Sequence, residues 1–384
     1  MNKKNVLIFI SHYLPGFKMG GPINSIFQIT DKLKGQYNFY VITSDRDMGD
    51  NEPYENIKQK EWRREGACKV LYLTPDLFYY INVVNHLRKR NYDIIYVNSF
   101  FSFKFSIFIV LINYFRLAQL KKIIITPRGE LFYEALAFGK VKKKIFINSS
   151  KILNLYKNIT WHSTGDLESR VIHKYFPKAS IELARVISDN CSEIIEICEP
   201  EFAFKNCNFL KLVFISRISK DKNLIYAIKL LSNLSFNVEF HIYGPVEDEN
   251  IWRACLNEIE KLPENIKISY RGILERKYVK SYFAQYHLFF FPTYRENFGH
   301  VVSESLSVGT PVLISDNTPW RNLSKRNLGW DINLRNHNEF IRVLNEFYRR
   351  KGAEEFDFRS DVKKSYREFI DYDAVLDENN RLFK

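Results

Sequence analysis

Three consecutive phenylalanines, Phe289, Phe290 and Phe291, followed at once by Pro292, read as a fully buried strand that stops where proline has no N–H to offer a ladder. A polar loop carrying Glu296 leads to Gly299, after which apolar and small residues recur at helical spacing through Val308. The stretch is therefore strand, loop, helix. In an open parallel sheet the carboxyl end of a strand and the start of the next helix border the ligand crevice, with the helix's first free N–H groups pointing into it. Gly299 lets a ligand approach the backbone because no side chain stands in the way. Glu296 precedes that turn and Glu304 lies inside the helix, with seven residues between them. Carboxylates so placed accept hydrogen bonds from two sets of hydroxyls, while the amides of Asn297, Phe298, Gly299, His300 and Val301 face an anion.

A second segment has the same construction. Apolar residues 210–215 run into Ser216-Arg217-Ile218-Ser219-Lys220-Asp221-Lys222 and then a helical pattern. Arg217 and Lys222 set two cations beside free helix amides, which is a phosphate cradle. The first half repeats the alternation, with strands expected at 6–11, 39–43, 69–73, 94–98, 122–126 and 159–164, the last taken as the final strand of that half. Helices are expected at 78–90 and 101–120. Gly20 and Gly21 lie in the loop after the first strand, just ahead of a helix. Pro127-Arg128-Gly129 follows the strand at 122–126, and His162 lies in the strand at 159–164. A histidine there is either structurally satisfied or able to reach the crevice. Residues 188–209 lose periodicity and read as a linker. The expected organisation is an α/β chain with two doubly wound, parallel-sheet domains, at 1–187 and 210–356, and a helical tail at 357–384. Strands at 238–243, 266–270, 288–291 and 311–314 supply the second sheet.

A chain of 384 residues has room for two such domains. Its five cysteines are odd in number and have no CxxC spacing, which argues against a disulfide framework or a metal site and for a reducing compartment. The apolar run at 105–115 is too short to span a bilayer. The net charge of +13 is unevenly spread: residues 1–190 hold 29 Lys+Arg against 16 Asp+Glu, leaving 28 against 28 in residues 191–384. One basic half joined to a neutral half suits an anionic surface or a phosphate-bearing acceptor. Residues 138–156 read as an amphipathic helix with a basic beginning, either a solvated face or one that lies on an anionic membrane. No nucleic-acid motif accompanies the charge.

The segment from Glu296 to Glu304 resembles the Glu-x7-Glu motif of retaining glycosyltransferases of family 4, which have the GT-B fold. Arg217 and Lys222 resemble that family's Arg-x4-Lys element. The resemblance covers essentially the whole chain and is strongest over residues 210–314. It implies two Rossmann-like domains facing each other across a cleft, with the tail helix crossing back to the first. Glu296 would then hold the hydroxyls of the donor sugar, Glu304 the ribose, and Arg217 and Lys222 the departing diphosphate. Gly20 and Gly21 would lie near the donor phosphates and Gly272 near the nucleobase. Arg128 and His162 become acceptor-side candidates; many family members have a histidine near Arg128, and this chain does not. The implied function is transfer of a sugar from a nucleoside-diphosphate sugar to a glycan or lipid-linked acceptor, with retention and without metal or other cofactor. The basic first half, and not the resemblance, makes a lipid-linked acceptor, as in surface or capsular polysaccharide assembly, the expected setting, in the cytoplasm at the inner face of the cell membrane. A sugar-nucleotide epimerase of the same fold and a non-catalytic glycan-binding subunit are the rival readings.

Overall fold

The computed structural model describes residues 3–137, 139–188, 208–350 and 353–384. These divide into two compact units, Met1–Ile187 with Tyr372–Lys384, and Ser188–Asp371. Most of the stretch expected as linker, and with it Cys191, Cys198 and Cys207, lies outside the described residues.

The first unit is built on eight strands: β1 (Lys4–Phe9), β2 (Tyr37–Ser44), β3 (Trp62–Glu65), β4 (Cys68–Leu73), β5 (Ile94–Asn98), β6 (Lys122–Thr126), β7 (Thr160–Ser163) and β8 (Ser180–Leu183). Their order is β3-β4-β2-β1-β5-β6-β7-β8. All neighbours pair in parallel except β3, a hairpin partner of β4. The pleat sends Leu7 and Phe9 of β1 into one core and Val6 and Ile8 into another, so the sheet is covered on both faces. The carboxyl-terminal helix Tyr372–Leu382 belongs to the second of these cores. There Phe383 lies against the rings of Tyr37, Phe39 and Tyr96.

Three strands escape sequence reading, all at sheet edges: two here, and Gly329–Ile332 in the second unit, a four-residue strand buried only at its ends. β3 (Trp-Arg-Arg-Glu) and β8 (Ser-Ile-Glu-Leu) are edge strands with no fully buried side chain, so neither carries an apolar run, and β7 is not the last strand of the sheet. The helix expected over 101–120 is shorter. A π-helical turn, Phe103–Ile107, leads into Phe108–Tyr114, and the chain then turns away at Arg116, whose φ is 53°.

The second unit holds β9 (Phe209–Ile215), β10 (Asn237–Tyr243), β11 (Ile266–Tyr270), β12 (Leu288–Phe291), β13 (Val312–Ser315) and β14 (Gly329–Ile332). All pairings are parallel, in the order β11-β10-β9-β12-β13-β14. The order reverses between β9 and β12, so the loops leaving those two strands diverge and open a crevice at their carboxyl ends. The helix His300–Ser307 is buried nearly all round, which its small residues allow. Ser303 meets the Tyr366 hydroxyl of the helix Ala353–Phe369, and a Cβ at Gly309 would come within 2.7 Å of the Arg359 carbonyl of that same helix. Arg359 in turn donates to the carbonyls of Tyr286 and Ala284 and to the Thr310 hydroxyl. Among the described residues no helix is long and apolar enough to cross a membrane.

Candidate active site

At the reversal point the loop after β9 closes through a 3-10 turn, Lys220–Lys222, into the helix Leu224–Leu231. Asn223 sits between them at φ 58°, a left-handed conformation that asparagine tolerates. Its side-chain amide donates to the Pro292 carbonyl at the end of β12, 2.9 Å away. The Asp221 carbonyl accepts from the Tyr294 N–H and the Thr293 hydroxyl, at 2.8 and 2.9 Å. The two diverging loops are thus stitched together from both sides.

That stitching brings Lys222 to Glu296. The ammonium lies 2.8 Å from the Glu296 carboxylate and 3.7 Å from Asp221, with only 7% of the residue exposed. Burial works against ionisation of Asp221, but Lys222, the Ser219 hydroxyl, Arg217 and Arg295 outweigh it and hold its carboxyl below the usual carboxylate range. Arg217 leaves the same loop and pairs with Glu247 at 2.6 Å, both side chains partly exposed. Glu247 belongs to the loop after β10, which is locked to the β9 loop by the Ile218 N–H to the Pro245 carbonyl and the Glu247 N–H to the Ile218 carbonyl. Gly244 makes that approach possible: at φ 135°, a Cβ there would meet the Ser216 carbonyl oxygen at 1.9 Å.

Gly299 caps the helix His300–Ser307 at φ 81° and ψ 62°. A Cβ would stand 2.9 Å from Cγ of Glu296 and 3.3 Å from the Trp320 indole nitrogen, so space and backbone both demand glycine. Trp320 donates its indole N–H to the Phe298 carbonyl, and the Glu296 N–H donates to the Asn317 carbonyl at 3.3 Å. Asn297, Phe298, His300 and Val301 therefore sit in a loop and first helical turn held from behind by the segment after β13. Glu304 is buried inside that helix. Gly272, at φ 77° after β11, has open space where a side chain would be, and its carbonyl accepts from the Gly244 N–H at 2.8 Å.

Residues 200–367 match a family model described as Glycosyl transferases group 1. The second unit carries a glycosyl transferases group 1 domain. Both α/β units match GT-B glycosyltransferase structures. Sucrose-phosphate synthase from Thermosynechococcus elongatus superposes at TM-score 0.72 and 13% identity, covering 100% of this chain and 98% of that one. WaaG, a glycosyltransferase involved in lipopolysaccharide biosynthesis, gives 0.62 and 14% with 98% of each chain covered. Anabaena Alr3699/HepE in complex with UDP-glucose gives 0.65 and 11%, again with 98% of each. A comparison of the sequence with curated proteins finds no match. In the group 1 domain the reversal point, Lys222, Glu296 and the Gly299 cap all fall within the matched residues.

The remaining sequence candidates lie in the first unit. Gly20 caps the helix Gly21–Lys32 at φ 64°, with open space around its Cα. The loop before it is pinned by buried Asp47, which accepts from the N–H groups of Phe17 and Lys18 at 2.8 and 3.1 Å. Arg128, at φ 51°, donates to Oδ1 of Asn98 and the Tyr96 hydroxyl, at 3.1 and 3.2 Å. His162 is fully buried, with Nδ1 bonded to the Tyr96 hydroxyl at 2.7 Å and Nε2 to the Ala184 carbonyl at 2.8 Å. Burial, with the nearby Arg128 charge, pushes its pKa down to about 3, so it is a neutral ring with both nitrogens engaged. Sequence reasoning did not single out Glu247, Asp221 or Trp320. Each acts through a tertiary partner, and no local pattern marks it.

Proposed function

We propose that this chain is a retaining glycosyltransferase of the family 4 type, moving a sugar from a nucleoside-diphosphate donor to a glycan or lipid-linked saccharide without a divalent metal. The observation that carries the reading is the Lys222–Glu296 contact at the carboxyl ends of β9 and β12, beside the glycine-capped start of the helix His300–Ser307. In the reaction the bond from the anomeric carbon to the diphosphate oxygen breaks, and its electron pair leaves with the phosphate. A bond from the acceptor oxygen to that carbon, formed on the face the diphosphate leaves, replaces it, and the acceptor hydroxyl's proton passes to the departing diphosphate oxygen. Fixed cations and backbone dipoles then meet the growing charge on the diphosphate in a site where they need little reorganisation. Lys222 exchanges its carboxylate partner for the phosphate, and Glu296, released, accepts hydrogen bonds from the sugar hydroxyls. Arg217 spends one guanidinium nitrogen on Glu247 and keeps the others for a phosphate oxygen. Glu304 takes the ribose, Gly272 lies beside the base, and Gly20 and Gly21 offer backbone that a phosphate can approach.

The complex of HepE with UDP-glucose, and a trehalose-6-phosphate structure from E. coli bound with UDP-2-fluoro glucose, make UDP-hexoses the first donors to try. Surface polysaccharide assembly at the cytoplasmic face of an anionic membrane fits the basic first half. The test is a thermal-shift screen against a panel of nucleoside-diphosphate sugars, because a ligand bound at a hundred times its Kd stabilises by about 2.7 kcal/mol. It is followed by transfer assays with and without chelator. Stabilisation by one donor and chelator-resistant transfer support the reading. Isomerisation of the donor in the absence of acceptor would replace it with the epimerase.

A further inference from the structure

The helix Lys140–Ile152 is apolar on two opposite faces, and the fold uses only one. Phe146, Ile147 and Ser150 point inward. At about 100° per residue, Val141, Ile145 and Ile152 fall within roughly 40° of one another on the opposite side. They are 71%, 60% and 80% exposed. Lys142 flanks this stripe on one side, and Lys144 and Lys151 on the other. Lys142 and Lys144 are exposed, while Lys151 lies over the Tyr175 ring at 5.6 Å. A lysine-bearing solvated face needs no aliphatic stripe along its centre. A helix lying in the plane of a bilayer surface needs that combination, with aliphatic side chains entering the acyl boundary and ammonium groups rising to the headgroups.

The stripe has apolar neighbours. Phe146 of this helix contacts the Phe101 ring at 6.1 Å, and Lys143 stands 5.1 Å over that same ring. Two residues on, Phe103 is exposed and touches Tyr80 of the helix Phe78–Lys89, which exposes Phe78 and Ile81. We infer that this surface of the first unit, centred on Val141, Ile145 and Ile152, docks on an anionic lipid bilayer. The inference deepens the proposed function, resting on it for the acceptor and not for the binding itself.

Charge decides between occupants. The first half carries the entire excess of +13, which an anionic headgroup layer complements at about a factor of five in affinity per lysine near the surface. A second copy of the chain docked about a two-fold axis would bring the same lysines face to face. Nucleic acid would use the lysines and leave the stripe in water. The helix, at about 20 Å, is long enough to lie on a membrane and too short to cross one.

The test is flotation of the full chain with vesicles of phosphatidylcholine alone and with added phosphatidylglycerol. The variants are Val141→Ser/Ile145→Ser/Ile152→Ser and Lys142→Gln/Lys144→Gln, whose exposed side chains leave the fold intact. Binding to the anionic vesicles only is expected, lowered roughly hundredfold by the aliphatic changes and about twenty-fivefold by the lysine changes. Absence of flotation, flotation unchanged in the triple serine variant, or a lipid-free dimer that this variant dissolves would each overturn the docking surface. Thermal shift by a nucleoside-diphosphate sugar separates the two claims. A protein that binds donor but no vesicle loses the surface and keeps the function, and one that binds anionic vesicles but no donor does the reverse.

Discussion

Replacing Lys222 by alanine asks the most of the proposed site. At 2.8 Å and an effective dielectric near 20, the attraction between Lys222 and Glu296 is about 6 kcal/mol by Coulomb's law. Taking a lysine that is 7% exposed out of water costs several kcal/mol in return, so the pair's net contribution is about 1–3 kcal/mol. Lys222→Ala leaves Glu296 facing Asp221 with the intervening cation gone. The expected loss is larger than the pair's net contribution, about 3–5 kcal/mol, because a carboxylate is left uncompensated, or roughly 6–20 °C of melting temperature for a unit of this size. Catalysis should suffer more. One fixed donor aimed at developing charge is worth about a hundred- to a thousandfold in kcat. Initial rates with the donor found by thermal shift, alongside Lys222→Met as a volume-matched neutral variant, read this directly. If both variants keep kcat within about threefold of the parent while the melting temperature falls, the ion pair is only a loop brace and the diphosphate is met elsewhere.

Three further outcomes follow from the same geometry. Glu247→Gln should free the Arg217 guanidinium at little cost in stability, because exposed pairs contribute about 0–1 kcal/mol. It should tighten nucleoside-diphosphate binding about two- to fivefold by calorimetry, whereas Arg217→Ala should lower kcat about a hundredfold; binding unchanged in both variants would remove Arg217 from the phosphate. Gly299→Ala should cost about 1–3 kcal/mol by chemical denaturation and weaken donor stabilisation, since φ is 81° and the new Cβ would press on Glu296. A variant as stable as the parent, with unchanged donor binding, would contradict the left-handed cap. Below its ordinary value of 6.5, His162 takes up a proton only in the unfolded chain, until its folded value of about 3 is reached. The stability it contributes is therefore complete above 6.5 and lost as pH falls, by up to about 1.4 kcal/mol per unit. His86 and His241, both lowered to about 4 by burial and neighbouring cations, act in the same direction. A melting temperature that stays flat between about pH 7 and about pH 5 would refute the assignment.

What could be read from the residues was whatever the local chain dictates. β5 and β6 fall where the apolar runs place them, and the strand, loop and helix around Gly299 follow from a phenylalanine run, a proline and a glycine. That the second sheet pairs in parallel follows from strands alternating with helical patterns; the order of its strands does not. Edge strands such as β3 and β8 were illegible because an edge needs little apolar side chain to pair. The Lys222–Glu296 contact could be argued only as two motifs in order, since 74 residues separate them. Their meeting depends on β9 and β12 being neighbours, which no local pattern states. His162 shows the opposite limit. A histidine in a strand reads either as satisfied or as able to reach the crevice, and only the fold shows that Tyr96 and Ala184 occupy both of its nitrogens.

The two sheets share a plan, yet what they place at the reversal differs, and the difference follows from which side chains reach the strand ends. Without β3 and β8 the first sheet runs β4-β2-β1-β5-β6-β7, the same relative order as the second. Near the reversal between β1 and β5, half-buried Glu130 accepts from the Phe100 and Phe101 N–H groups and the Ser99 hydroxyl, so its carboxylate is spent on neighbouring chain. Arg128, two residues earlier, is half-buried, and among the described residues its guanidinium hydrogen-bonds only the neutral Asn98 and Tyr96. The second sheet instead closes its reversal with cation against carboxylate. An arriving polyhydroxylated anion must displace one partner to bind there, and in doing so it frees a carboxylate for its own hydroxyls. On the proposed function, a neutral sugar would not compete for Lys222, and an anion without hydroxyls would leave half-buried Glu296 without its cation. If the proposed function holds, selection for a ligand that is both phosphate and sugar would come from the pairing itself.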